Sequence, residues 1–261
     1  MRNILLLLRK QLYEDKKGLI IYVSVVFGFL LIPNLIAGFV GRFTNSYDEM
    51  NYVPLFINLL LVGGFIMVSI TYAQEMYSKV RQHAWLMLPV HAHEKLIAKF
   101  IYHAVLYPLA LLIFVFLSSV IIEGMNAILF KASSPLLDMT NILIWKMILH
   151  YMVLQSIFLL GATYFKSAHL VKTVLSLMIL SIVLSLILAL IARIVYAPYA
   201  QQLFHGGIHI DDTMVVMNAR ALDLGNTYAT IGKTIYWALL APFCLVVSYF
   251  RIREVEAKDA V

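Results

Sequence analysis

The sequence predicts an all-α, polytopic membrane protein, and three observations carry that prediction. Of the 261 residues, 62% are hydrophobic and only 13% are charged, too little charge for a solvated globular surface. The apolar residues gather into long stretches, and a hydrocarbon core about 30 Å thick demands roughly 20 such residues per helix. The basic residues stand in short clusters beside those stretches, as flanks of membrane spans do. The formal charge of +6 therefore reads as topology, and no nucleic acid is expected as a partner.

Residues 1–18 come first. Leu5, Leu8 and Leu12 share one helical face flanked by Arg9 and Lys16, which predicts an amphipathic helix lying along the membrane surface. The run from Ile4 to Leu8 is too short for a signal-peptide core, so no cleavage is expected.

Six spans follow, at about 19–41, 53–73, 100–122, 142–165, 173–195 and 234–250. The first three contain no Asp, Glu, Lys or Arg. Lys146 and Arg193 fall near the ends of the fourth and fifth, where a long side chain can reach the headgroups. Pro33 removes a backbone donor from the first span and is expected to kink it. No repeat or soluble domain interrupts the series, so residues 1–261 form one transmembrane domain.

Orientation follows from the basic residues. With the N-terminus inside, fourteen of the twenty Lys and Arg fall on the cytoplasmic side, which predicts that both ends face the cytoplasm. The outer side then carries residues 45–51, a loop over 123–141 and a longer connection over 196–233.

Small residues mark close helix approach, because lipid supplies no hydrophobic drive between helices. Ser181, Ser185 and Ala189 have that spacing, Ala37 and Gly41 repeat it, and Gly63 with Gly64 loosens the second span.

Catalytic signals are missing. The central turns of the spans hold no ionisable Asp, Glu, Lys or Arg for a proton-driven carrier. No nucleophile elbow, phosphate loop or Walker lysine occurs. His91, His93 and Glu94 do not have the spacing of a zinc protease, and His205 and His209 flank two helix-opposing glycines. His103 and His150 read as polar packing groups. The lone Cys244 excludes an internal disulfide. No metal, cofactor or enzymatic activity is expected of this chain.

The segment over 74–99 carries the strongest signal. It holds Glu75, Lys79 and Arg81, then Trp85-Leu86-Met87-Leu88-Pro89-Val90, then Glu94, Lys95 and Lys99. Charge mixed with apolar bulk is hard to explain as a simple connector, and apolar surface on a loop suggests a docked partner.

This pattern resembles the permease subunits of type 2 ATP-binding-cassette exporters. In that family an acidic residue ends the second span and a leucine-rich segment leads to Pro-Val and a later lysine. Glu75, Leu86, Leu88, Pro89, Val90 and Lys99 occupy those places here. The layout is similar over the whole chain, the motif only over 74–99, and His91 and His93 stand where the family often has an arginine.

The resemblance implies a coupling helix over 78–95 seated in a cleft of a separate ATPase subunit. It also implies a second permease subunit, and a bacterial inner membrane as the location. Glu75, Lys79, Arg81, Trp85, Leu86, Leu88, Pro89, Val90, Glu94 and Lys99 would form the ATPase-coupling region. The cargo is not legible, although aliphatic and aromatic spans lean toward an amphipathic or hydrophobic one. The alternatives are a membrane accessory or assembly protein without a transport cycle, and an intramembrane metal-dependent enzyme drawing on His83, His91, His93, Glu94 and His103.

Overall fold

The computed structural model describes residues 2–44, 51–77, 87–130, 135–165, 168–205 and 226–259. Every regular element among them is helical. Helix α1 (Arg2–Glu14) turns at Asp15 into α2 (Lys16–Thr44), and α3 spans Tyr52–Tyr77. Helix α4 (Ala92–Ile101) passes through a π-helical turn at Tyr102–Leu106 into α5 (Tyr107–Phe130). Helices α6 (Ile142–Tyr164) and α7 (His169–His205) follow. Helix α8 (226–234) runs through a second π turn, Ile235–Leu240, into α9 (Ala241–Asp259).

Five of these helices are long and apolar enough to cross a membrane: Lys16–Gly41, Ala92–Phe130, Ile142–Tyr164, His169–Leu190 and Asn226–Ala257. The stretch Tyr52–Ile66 is apolar but shorter. The helices overrun the expected spans for a physical reason. Charge was taken to end a span, whereas a helix ends where its hydrogen bonding does. Ala92–Phe130 thus continues through Lys95 and Lys99 at one end and Glu123 at the other, so much of the loop expected over 123–141 is helix. Residues 196–205 and 226–234, assigned to an outer connection, are helical too.

Local chemistry fits the termini. Asn141 caps α6 by accepting from the Leu143 amide at 2.9 Å. Just before it, the amide and hydroxyl of Thr140 both donate to Asp138 Oδ1, holding that carboxyl below the usual carboxylate range. Helix α2 continues through Pro33, and the buried Asn34 spends its amide on the Leu30 carbonyl at 2.8 Å.

Two apolar cores hold the bundle. The larger joins Val26 and Leu30 of α2 and Phe56 and Leu60 of α3 to Leu111 and Val115 of α5 and Ile144 and Ile148 of α6. The smaller joins Ala92 and Leu96 of α4 to Phe158 and Leu159 of α6 and Ile252 and Val255 of α9. Helix α7 stands apart, with only 6% of its candidate span buried.

Gly161 fixes where α7 leaves the bundle. A Cβ there would overlap the Thr173 side chain, so glycine permits the close approach of α6 and α7. Ala168 makes the turn between them with φ of 51°.

Candidate functional site

The residues predicted to couple to an ATPase lie around the start of α4. Lys79, Arg81, Trp85 and Leu86 fall outside the described residues, and Glu75 is described only as helical backbone in α3. Met87 is 81% exposed and Pro89 is exposed, while Leu88 is half-buried against the core of Ala92 and Leu96. The Leu88 carbonyl accepts from the Val90 amide at 2.7 Å, closing a tight turn. The His91 carbonyl accepts from the Glu94 and Lys95 amides and opens α4.

From there charge works inward. Asn3 Nδ2 donates to both Glu94 carboxylate oxygens, at 3.3 and 3.2 Å, fastening the N-terminal helix to α4. Lys95 is buried and meets Glu256 Oε1 of α9 at 2.9 Å. Lys99 is buried one turn further on. At the α1–α2 corner the Tyr102 hydroxyl donates to the Asp15 carboxylate. The first helix, the last helix and the start of α4 are therefore one polar-laced junction at one end of the bundle.

Sequence reasoning treated Lys95 and Lys99 as a solvated flank and passed over Asn3, Tyr102 and Glu256. Their partners lie 91 and 161 residues away for Asn3 and Lys95, so no local signal pairs them.

A second polar group lies half-way along α3, at Gly63 and Gly64. The hydroxyls of Tyr22 and Tyr107 share a hydrogen bond of 2.7 Å, and Tyr107 also donates to the Leu59 carbonyl at 3.0 Å. Tyr151 donates to the His103 carbonyl at 3.1 Å and accepts from Gln155 Nε2 at 2.5 Å. A Cβ on Gly63 would overlap the Tyr22 and Tyr107 hydroxyls, and one on Gly64 would overlap the Tyr151 ring and hydroxyl. The two glycines expected to loosen the second span are a seat for three tyrosines arriving from α2, α5 and α6. The His103 carbonyl that Tyr151 uses sits in the first π turn, a distortion that frees backbone groups.

Nearer the far end, the Tyr52 hydroxyl donates to the buried Glu123 carboxylate at 2.6 Å, tying α3 to α5. Beside it lies a cavity of about 350 Å³ bounded by Asn51, Tyr52, Pro135 and Asp138.

His91 and His93 are neighbours, with ring centroids 5.3 Å apart. Among the described residues no group of three or more His, Cys, Asp or Glu is placed to hold a metal ion. His150 bonds the Tyr236 hydroxyl at 3.1 Å and packs on Trp237, joining α6 to the second π turn. Ser181, Ser185 and Ala189 are all exposed on α7, facing no other described helix closely.

No protein-family model matches the chain, and no curated protein or solved structure matches it either.

Proposed function

We propose that the chain is the membrane-spanning permease subunit of an ATP-binding-cassette exporter, moving its cargo across a bacterial inner membrane with ATP hydrolysed by a partner subunit. In this reading α3 is a sixth span, both chain ends lie in the cytoplasm, and a second permease subunit completes the pathway. The exposed Ser181, Ser185 and Ala189 face offers that subunit close approach.

One observation carries the reading. The junction of α1, α4 and α9 directly follows the segment with the exporter-like motif, and it ties that segment's end to both ends of the chain. Force applied to Leu88–Val90 passes at once into α4, which continues without a break to Phe130. A rigid connection of that kind converts closure of an ATPase pair into helix motion. The 81% exposure of Met87 leaves apolar surface for the partner, while Leu88 anchors the turn below it.

The test is co-purification with the ATPase encoded beside the gene, comparing the native chain with Trp85→Glu and Leu88→Glu. Loss of the ATPase from both variants is expected. Undiminished association in both would remove the docking role and favour an accessory protein.

A further inference from the structure

One stripe of the helix Ala92–Phe130 passes Lys95 and Lys99, then Tyr102 and Leu106, then Ala110, at steps of three or four residues. The corner of α1 and α2 covers this stripe and leaves two cavities along it. The first, of about 20 Å³, is lined by Lys10, Gln11, Glu14, Lys95 and Lys99 among others. The second, of about 200 Å³, lies one to three turns further along and is walled by Leu12, Leu19, Leu106 and Ala110, with the Tyr102 and Tyr107 rings.

The first cavity presents mainly donors. Lys95 and Lys99 are buried, and Gln11 is 5% exposed with no hydrogen-bond partner for its Nε2. A buried amide without an acceptor is an uncommon arrangement that a bound acceptor relieves. The nearby acids are engaged: Glu14 lies 3.6 Å from Lys10, Glu256 pairs with Lys95, and Asp15, which lines neither cavity, accepts from Tyr102. The space holds about one water-sized group, so it suits a single anionic oxygen better than a whole hydrated ion.

We propose that this cleft binds one anionic phospholipid, with a phosphate oxygen among Lys10, Gln11, Lys95 and Lys99 and an acyl chain in the apolar cavity beside Leu106 and Ala110. The order of the two cavities supports this ligand over a free anion. Leu19 lies just inside the candidate span Lys16–Gly41, so the apolar cavity is on the bilayer side and the basic one on the surface side. An amphipathic lipid has that same order of charge and hydrocarbon.

The experiment uses the purified full chain in mild detergent and native mass spectrometry. Phosphatidylglycerol and phosphatidylcholine are offered at equal concentration, with and without excess inorganic phosphate. The native chain is expected to keep phosphatidylglycerol about tenfold better than phosphatidylcholine. Gln11→Leu should remove most of that preference, and Ala110→Trp, at an exposed position that tolerates bulk, should reduce retention of both lipids. Equal retention of the two lipids by the native chain would overturn the proposal. So would displacement of phosphatidylglycerol by inorganic phosphate with Ala110→Trp unchanged, which would leave a simple anion site.

Discussion

Lys95 Nζ stands 2.9 Å from Glu256 Oε1, so the first turns of α4 and the end of α9 are joined across 161 residues of sequence. The lysine is 5% exposed and the glutamate 29%, which makes the pair one-sided. Its loss falls on the buried ammonium.

Glu256→Gln is therefore expected to destabilise the protein by on the order of 2 kcal/mol, less than a fully buried pair would lose because Glu256 is partly solvated. The double variant Lys95→Met with Glu256→Leu should recover most of that loss, since no charge then stays behind. Thermal unfolding in detergent, run as a double-mutant cycle, measures both. A double variant as unstable as the single one would show that the pair does not set the cost.

Gly64→Ala is expected to cost on the order of 1–3 kcal/mol, because the new methyl meets the Tyr151 ring and hydroxyl and neither helix can retreat freely. Tyr151→Phe alone should cost about 1 kcal/mol through its bonds to Gln155 and the His103 carbonyl. Combined, the two should fall short of additivity, since the substituted ring no longer carries the clashing oxygen. Strict additivity in the same unfolding assay would argue against the seat described for Gly64.

Tyr52→Phe removes the donor that Glu123 receives at 2.6 Å inside the bundle, and the expected loss is about 1–3 kcal/mol. Glu123→Gln keeps an oxygen for Tyr52 and should be milder. Ranking the two by midpoint temperature checks the direction, and a milder effect from Tyr52→Phe would count against the bond.

Ala168→Gly should stabilise the protein by roughly 0.5–1 kcal/mol. An alanine at φ of 51° carries a left-handed penalty that glycine avoids, only partly offset by glycine's greater freedom when unfolded. A lower midpoint temperature for the variant would refute the claim.

The membrane class was legible in the sequence because apolar length is a local property, and the centres of the helices fall where the apolar runs do. The ends were not legible in the same way. Lys95, Lys99 and Glu123 looked like boundaries because a charge in a row of apolar residues ordinarily meets water, yet Lys95 and Glu123 find partners on helices distant in sequence. Gly63 and Gly64 announced a close approach without naming what approached, since the three tyrosines come from three other helices. The π turns left no mark at all: their residues, such as Tyr102-His103-Ala104-Val105-Leu106, are unexceptional helix formers.

The first of those turns sets the phase of everything after it. A π turn adds one residue to a helix, and one residue of α-helix is about 100° of rotation. Tyr107 meets Gly63 and Tyr22 only because that extra step has been taken. The long helix Ala92–Phe130 thus behaves like two cogs on one shaft, offset by a single tooth: the lower one is cut to fit α1 and α9, and the upper one to fit α2 and α3. Deleting one residue between Tyr102 and Leu106 would make the helix more regular and leave the two halves unable to mesh with their neighbours together.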